Sequence, residues 1–431
     1  MNRVLVVGLG YVGLTLTVAL ARRGFSVFGC EKNPATVATL AAGRPHVFEP
    51  GVEEGLRAFL GGSIRIAEHP PAEAVDAAII CVSTPVDLAT RAPDLENLRA
   101  AARAVAATCA PETLVVVRST VPVGASRRIV LPELVARWGR ARLAFCPERT
   151  IQGQALRELA ELPQVIGGLD AESCDAAAAL FARLTPRVVP VSSLEAAETV
   201  KLINNCHTDV IYSFGNEVAL LAERLGLDPL ELIRAANADY PRPDLATPGF
   251  VGGGCLSKDP YILLSSSLAA GYEPWLVGRA RGLNEHLPLH VARRFVELIR
   301  ETRGEVAGGT ALLLGFAYKG WPPTDDLRGA PVLPMLDLFR AEGLRLRGHD
   351  FLVGRDVLTR LGVTPCALEE GFVGADAVLV ITNHPEYAKQ DLPRLLAALR
   401  RPAVLYDCWR ILDEEVARGA GQVRYASIGY G

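Results

Sequence analysis

The sequence predicts an α/β protein in which two doubly wound domains flank a central helical domain. Three observations carry that prediction. A glycine-rich turn sits between a short apolar strand and a helix, with an acid about twenty residues further on. Apolar strands alternate with helical stretches in both terminal thirds of the chain. Between them lies a long span of helical periodicity without proline.

Residues 4–7 read as a fully apolar strand, Gly8-Leu9-Gly10-Tyr11-Val12-Gly13 as the turn, and residues 14–23 as the helix that follows. Residues 26–30 form a second strand that ends at Glu31, where a carboxylate accepts hydrogen bonds from a ribose 2′-hydroxyl in a Rossmann-like dinucleotide domain. Gly8, Gly10 and Gly13 permit the tight turn, the close approach of backbone to a pyrophosphate and the packing of helix on strand, with Tyr11 and Val12 inside the turn. Further strands are expected at residues 77–82, 114–117 and 143–145. Ligands of open α/β sheets bind beyond the carboxyl ends of the strands, so Ser83, Thr84, Ser119, Thr120 and Glu148 converge on one crevice.

Residues 194–225 contain Gly215 but no proline and read as one long helix, with further helices at 229–238 and 273–303. Such a spacer suits a dimer core. After Gly308 and Gly309 the alternation resumes, with strands at 311–315, 345–347, 377–381 and 404–406 and thus a second Rossmann-like domain. The expected boundaries are 1–192, 193–303 and 304–431.

Composition narrows the function. The chain has 431 residues, room for about three domains of roughly 150 residues, and is 50% hydrophobic and 22% charged, which excludes disorder and collagen-like repeats. A net charge of -3 without a basic cluster argues against nucleic acid as partner. Nine scattered cysteines without a CxxC pair give no zinc or dithiol site, imply no metal, and fit the reduced thiols of a cytoplasmic protein. The uncharged run 4–21 after Arg3 resembles a targeting or anchoring segment. However, three glycines interrupt it and Arg22 and Arg23 close it, so no membrane insertion is expected.

The chemistry concentrates in Pro248-Gly249-Phe250-Val251-Gly252-Gly253-Gly254-Cys255-Leu256-Ser257-Lys258-Asp259-Pro260. Glycines let backbone approach a ligand. A thiol at the start of a helical turn, near a lysine, has its thiolate favoured, so Cys255 is the candidate nucleophile and the other eight cysteines are core. If the segment is helical, Asp259 shares a face with Cys255, four residues earlier. Lys201 and Asn205 share a helix face by the same spacing and offer an ammonium and an amide to a developing oxyanion. Only five of the 45 basic residues are lysines, at 32, 201, 258, 319 and 389, so arginine supplies the generic surface charge and each lysine invites a role; Lys201 reads as functional and Lys389 as surface.

These motifs resemble the UDP-glucose/GDP-mannose dehydrogenase family over essentially the whole chain. Gly8 to Gly13, Phe48-Glu49-Pro50-Gly51, Val82 to Pro85, Ser119 to Gly124, Lys201 with Asn205, Gly252 to Asp259 and Phe316 to Pro331 follow the family's order and approximate spacing. The resemblance implies two successive NAD-dependent oxidations at C6 of a nucleotide sugar, from alcohol to carboxylate. Cys255 would capture the aldehyde as a thiohemiacetal, which is then oxidised to a thioester. Lys201 and Asn205 would stabilise alkoxide and oxyanions, and Asp259, Thr120 and Glu148 would position water and handle its protons.

NAD would be held by Gly8, Gly10, Tyr11, Val12, Gly13, Glu31, Ser83, Thr84, Thr120 and Arg328. The UDP-sugar would meet Glu148, Lys201, Asn205, Phe250, Gly252 and, near its pyrophosphate, Lys319. Arg242 would reach the sugar across the interface of a homodimer. Gln152 stands where the UDP-glucose branch carries a second carboxylate. Together with Pro147-Glu148-Arg149, the run 162–168 and Pro241-Arg242, it resembles the N-acetylhexosamine branch. UDP-N-acetylmannosamine is the expected substrate, UDP-N-acetylglucosamine the next, with UDP-glucose and GDP-mannose behind them. A two-electron hydroxyacid dehydrogenase and a non-catalytic nucleotide-sugar sensor are the competing classes.

Overall fold

The computed structural model describes residues 1–71, 73–87, 89–242 and 244–431. They form two compact units, Met1–Asn205 with Lys258–Pro274, and Cys206–Ser257 with Trp275–Gly431.

The first unit is built on an eight-stranded sheet: β1 (Arg3–Val7), β2 (Ser26–Cys30), β3 (Ile64–Ala67), β4 (Ala77–Ile80), β5 (Leu114–Val117), β6 (Arg142–Phe145), β7 (Gln164–Gly168) and β8 (Val188–Val191). Their order is β3-β2-β1-β4-β5-β6-β7-β8, so the winding reverses between β1 and β4 and opens a crevice at their carboxyl ends. All neighbours are parallel except β6 and β7. Helices cover both faces, which is why the strands are apolar on both sides. Val4 and Val6 enter one core with Ala77, Ile79 and Val116. Leu5 and Val7 enter the other with Ala78, Ile80 and Val117.

Three of these strands were not expected from sequence, each for a physical reason. In β3, Arg65 breaks the apolar run. β8 carries Pro190, tolerated because the strand lies at the sheet's edge. β7 ends in two glycines, and a Cβ there would stand 2.0 Å from the Ser193 carbonyl oxygen at Gly167 and 2.4 Å from the Asp170 carbonyl oxygen at Gly168. β4 stops at Ile80 rather than at residue 82, and the fingerprint helix begins at Tyr11 rather than at residue 14.

The second unit holds a six-stranded, wholly parallel sheet: β9 (Thr310–Leu314), β10 (Arg345–His349), β11 (Thr364–Pro365), β12 (Ala377–Val380), β13 (Ala403–Asp407) and β14 (Val423–Ala426). Its order, β11-β10-β9-β12-β13-β14, repeats that of the first. β11 and β14 were missed, the first because two residues carry no pattern. Helix Trp275–Arg303 lays Leu287, Val291, Phe295 and Leu298 into the core beside this sheet. The Phe295 ring stands edge-on to Phe339 at 5.7 Å and to Tyr406 at 6.3 Å.

The long helix Leu194–Leu225 matches the expected bounds, and its Cys206–Leu225 part belongs to this unit. Within it a buried polar network joins two helices. Arg281 donates to Asp209 at 2.8 Å, Asn284 to the Asp209 carboxylate at 3.0 Å, and Asn216 to Asn284 at 2.9 Å. The network extends into the glycine-rich segment, since Arg281 also donates to the carbonyls of Leu256 at 2.7 Å and Val251 at 3.1 Å, and Gly249 N–H donates to Asn216 at 2.8 Å. Among the described residues no helix is long and apolar enough to cross a membrane.

Candidate active site

In the first unit, the carboxyl ends of β1, β2, β4, β5 and β6 deliver the expected groups to one edge. Gly8 has φ +89°, and a Cβ on it would stand 2.9 Å from the Cys81 carbonyl oxygen; one on Gly13 would stand 1.8 Å from the Gly8 carbonyl oxygen. A Cβ on Gly10 would meet nothing within 4 Å, so the backbone there is open to a ligand. The helix that begins at Tyr11 has no side-chain cap and no acid in its first turn, leaving its N–H groups for an anion. Glu31 follows β2 and accepts the Leu9 N–H at 3.0 Å and the Asn33 N–H at 3.0 Å. Ser83 receives Asn97 at 3.2 Å. The Thr84 hydroxyl is buried and has no hydrogen-bond partner among the described residues, which leaves it available to a ligand in this crevice. This set fits a dinucleotide.

Glu148 is buried and fully engaged. One oxygen receives Arg118 Nε at 3.1 Å and Nη2 at 2.7 Å, and the other receives the N–H groups of Arg149 at 2.7 Å and Thr150 at 2.8 Å. Burial opposes its charged form, but Arg118 and the Thr150 N–H outweigh burial and hold the carboxyl below its ordinary range. A carboxylate has about four acceptor positions, and all are taken, which differs from the proton-handling role expected of Glu148. Arg118, 1% exposed, was not singled out from sequence. Besides Glu148 it binds the Cys146 carbonyl at 3.2 Å and Gln164 at 3.1 Å. Its signal was a charged residue at the end of an all-apolar strand.

Lys201 is buried, and no hydrogen bond or ion pair holds its ammonium among the described residues. Asn205 Nδ2 donates to Asp259 at 2.5 Å. Lys258 pairs with the other Asp259 oxygen at 3.1 Å, so this lysine serves the carboxylate. Thr120 is half-buried beyond β5. The helical turn Gly253–Leu256 ends before a new helix begins at Asp259, so the shared face expected for Cys255 and Asp259 does not form.

In the second unit, Cys255 alone of the nine cysteines is exposed; the others are buried or half-buried. The glycines before it are dictated by close packing. A Cβ would stand 2.1 Å from the Gly329 carbonyl oxygen at Gly252, 2.7 Å from the Tyr318 ring at Gly253 and 2.7 Å from the Arg328 guanidinium carbon at Gly254. Arg328 forks onto Asp326 at 2.6 and 3.0 Å. Burial first, then Cys255 and Asp326, push the Tyr318 phenol well above its ordinary range. Phe250, expected at the substrate, has its ring buried in the core edge-on to Trp409 at 6.4 Å. Lys319 lies 5.4 Å over the Tyr318 ring, Arg242 is exposed and donates to the Tyr240 hydroxyl at 2.8 Å, and Lys389 pairs with Glu386 at the surface.

The sequence reading also missed Asp350. It follows β10 as Glu31 follows β2, and it accepts the Phe316 N–H at 2.6 Å much as Glu31 accepts that of Leu9. Beside it Phe351 stacks on His384 at 4.8 Å. The signal was an acid after the second strand of a Rossmann-like unit.

Comparison with known proteins agrees with this geometry. Residues 2–185 match the NAD binding domain of the UDP-glucose/GDP-mannose dehydrogenase family, residues 195–286 its central domain and residues 312–414 its UDP binding domain. A UDP-N-acetyl-D-mannosamine dehydrogenase of Pyrococcus horikoshii is 32% identical, over 97% of this chain and 99% of that one. An NDP-N-acetyl-D-galactosaminuronic acid dehydrogenase of Ralstonia nicotianae is also 32% identical, over 90% and 92%. The solved structure of a UDP-D-ManNAc dehydrogenase from Pyrococcus horikoshii superposes with a TM-score of 0.88 at 30% identity, covering 99% of both chains. With an NAD fingerprint at one sheet, a repeat of that sheet matching a UDP binding domain, and an exposed cysteine in a glycine-built turn, the chain belongs to the UDP-glucose/GDP-mannose dehydrogenase family and is an NAD-dependent nucleotide-sugar dehydrogenase.

Proposed function

We propose that the protein oxidises C6 of a UDP-N-acetylhexosamine from alcohol to carboxylate, with UDP-N-acetylmannosamine as the substrate. The observation that carries the reading is Cys255, exposed where every other cysteine is buried or half-buried, in a turn pressed against Tyr318 and Arg328. NAD, when bound, supplies the hydride acceptor for both oxidations. The Cys255 thiolate adds to the C6 aldehyde, and the resulting thiohemiacetal loses a hydride and a proton to become a thioester. Water adds to its carbonyl, the C–S bond breaks, and carboxylate and thiol are released. Lys201, whose ammonium has no partner among the described residues, and Asn205, which keeps one amide N–H free of Asp259, suit the developing oxyanions. Asp259 and Thr120 are the groups that position water. Glu148 serves by fixing the loop that begins at Arg149.

Gln152 and the 32% relatives, one named for N-acetylmannosamine and one for N-acetylgalactosaminuronic acid, support an N-acetylated sugar. The galacto configuration was not weighed from sequence and joins the alternatives. Exposed Phe214, Leu221 and Leu225 on helix Leu194–Leu225 support a homodimer, with Arg242 available to a partner's sugar. The expected three-domain division and a cytoplasmic setting belong to the same reading. Cys255→Ser tests its chemistry. Uronate formation is expected to fall on the order of 10⁴-fold or more while UDP-sugar binding persists; near-parental uronate formation would remove Cys255 from the covalent role.

A further inference from the structure

The loop that follows Glu148 is held by two buried carboxylates, and one of them comes from a distant part of the chain. Glu148 binds the N–H groups of Arg149 and Thr150. Further along, Glu49 accepts the Gly153 N–H at 2.6 Å with one oxygen and the Ala155 N–H at 2.8 Å with the other. The same carboxylate accepts a short hydrogen bond from the Tyr11 hydroxyl. The Gly153 N–H also lies 3.3 Å from the Tyr11 hydroxyl oxygen. Glu49 is only 5% exposed, and no cation pairs with it among the described residues. Burial and then Glu49 push the Tyr11 phenol far above its ordinary range, so it remains an O–H donor.

Burying a carboxylate is costly unless donors fill its lone pairs. The donors here come from two places with different tasks. Tyr11 is the first residue of the helix that receives the cofactor's phosphates, whereas residues 149–155 include Gln152, the position that separates the sugar branches. One carboxylate therefore ties the cofactor turn to the sugar loop through three direct hydrogen bonds, all within one compact unit.

We propose that Glu49 is a positioning residue that couples the two binding events. NAD fixes the turn that carries Tyr11, Tyr11 fixes Glu49, and Glu49 sets loop 149–155 for the nucleotide sugar. The inference rests on reading that loop as sugar-recognising. Tyr11→Phe severs the link and leaves both loop bonds to Glu49. Glu49→Gln replaces one oxygen by an amide N–H₂ that must face a backbone donor, and so loosens the loop itself.

The test is the Kd of UDP-N-acetylmannosamine measured calorimetrically with and without saturating NADH, which cannot accept a hydride and so permits no turnover. In the parental protein NADH is expected to tighten the nucleotide sugar at least about fivefold, the lower end of ordinary coupling between sites. Tyr11→Phe is expected to cut that effect below about twofold, with NADH kept saturating for the variant and the variant's own affinity without NADH as the reference. Glu49→Gln is expected to weaken the sugar in both conditions. An NADH effect absent from the parent, or retained in Tyr11→Phe, overturns the coupling and leaves Glu49 a scaffold. Gln152→Ala separates this failure from failure of the underlying reading. A weakened sugar Kd keeps the loop at the substrate, and an unchanged one removes it.

Discussion

Replacing Arg118 by Met should destabilise the first unit more than any surface change. The guanidinium is 1% exposed, donates twice to Glu148, and lies 5.3 Å over the Phe181 ring. Methionine keeps much of the volume but leaves Glu148 buried with the two backbone donors at Arg149 and Thr150. Removing one partner of a buried pair costs about 3–5 kcal/mol. At about 2–4 °C per kcal/mol for a unit of this size, thermal unfolding followed by circular dichroism should shift down by roughly 6–20 °C. Arg118→Met with Glu148→Gln should recover part of that loss, because a neutral amide needs no counter-charge.

The pH dependence has a definite sign. In the parent the Glu148 carboxyl lies below its ordinary value of 4.5, so its contribution is full above that value and is lost as pH falls through the lower folded one. Without Arg118 the chief lowering influence is gone, burial pushes the carboxyl up, and the deficit of the variant should shrink from pH 8 to pH 5. A loss below about 1 kcal/mol, or a double variant no more stable than the single one, would show that the pair does not carry the loop.

Glu31→Gln should raise the KM for NAD roughly 10- to 150-fold, the worth of about 1.5–3 kcal/mol for hydrogen bonds to a charged group, with kcat at saturating NAD little changed in steady-state assays. Gly13→Ala should abolish NAD binding by fluorescence titration, since its Cβ would stand 1.8 Å from the Gly8 carbonyl oxygen. If the proposed homodimer forms through this helix, the parent should sediment as a dimer and Leu221→Asp with Leu225→Asp, at positions 58% and 60% exposed, should sediment as a monomer.

The parts of the fold that were legible were those where one force dominated locally. Short apolar runs covered on both faces revealed β1, β4 and β5, and unbroken helical periodicity gave helix Leu194–Leu225 to the residue. Strands that close packing forced to carry Gly167 and Gly168, or edge position allowed to carry Pro190, lost their signature. In the site, residue type and position were enough to single out Glu31, Thr84 and Cys255 as candidates. Bonding partners were not legible, because Arg118, Glu49 and Asp350 act through contacts made by the folded chain over 30 or more residues. For Phe250 the motif position was visible and the burial against Trp409 was not.

The most direct measurement is the number of NADH formed per nucleotide sugar consumed when UDP-N-acetylmannosamine, UDP-N-acetylglucosamine and UDP-glucose are each run to completion with excess NAD. The chemistry assigned to Cys255 requires two NADH per sugar, with UDP-N-acetylmannosamine consumed fastest and the uronate as sole product. One NADH per sugar, with free aldehyde accumulating, would contradict it.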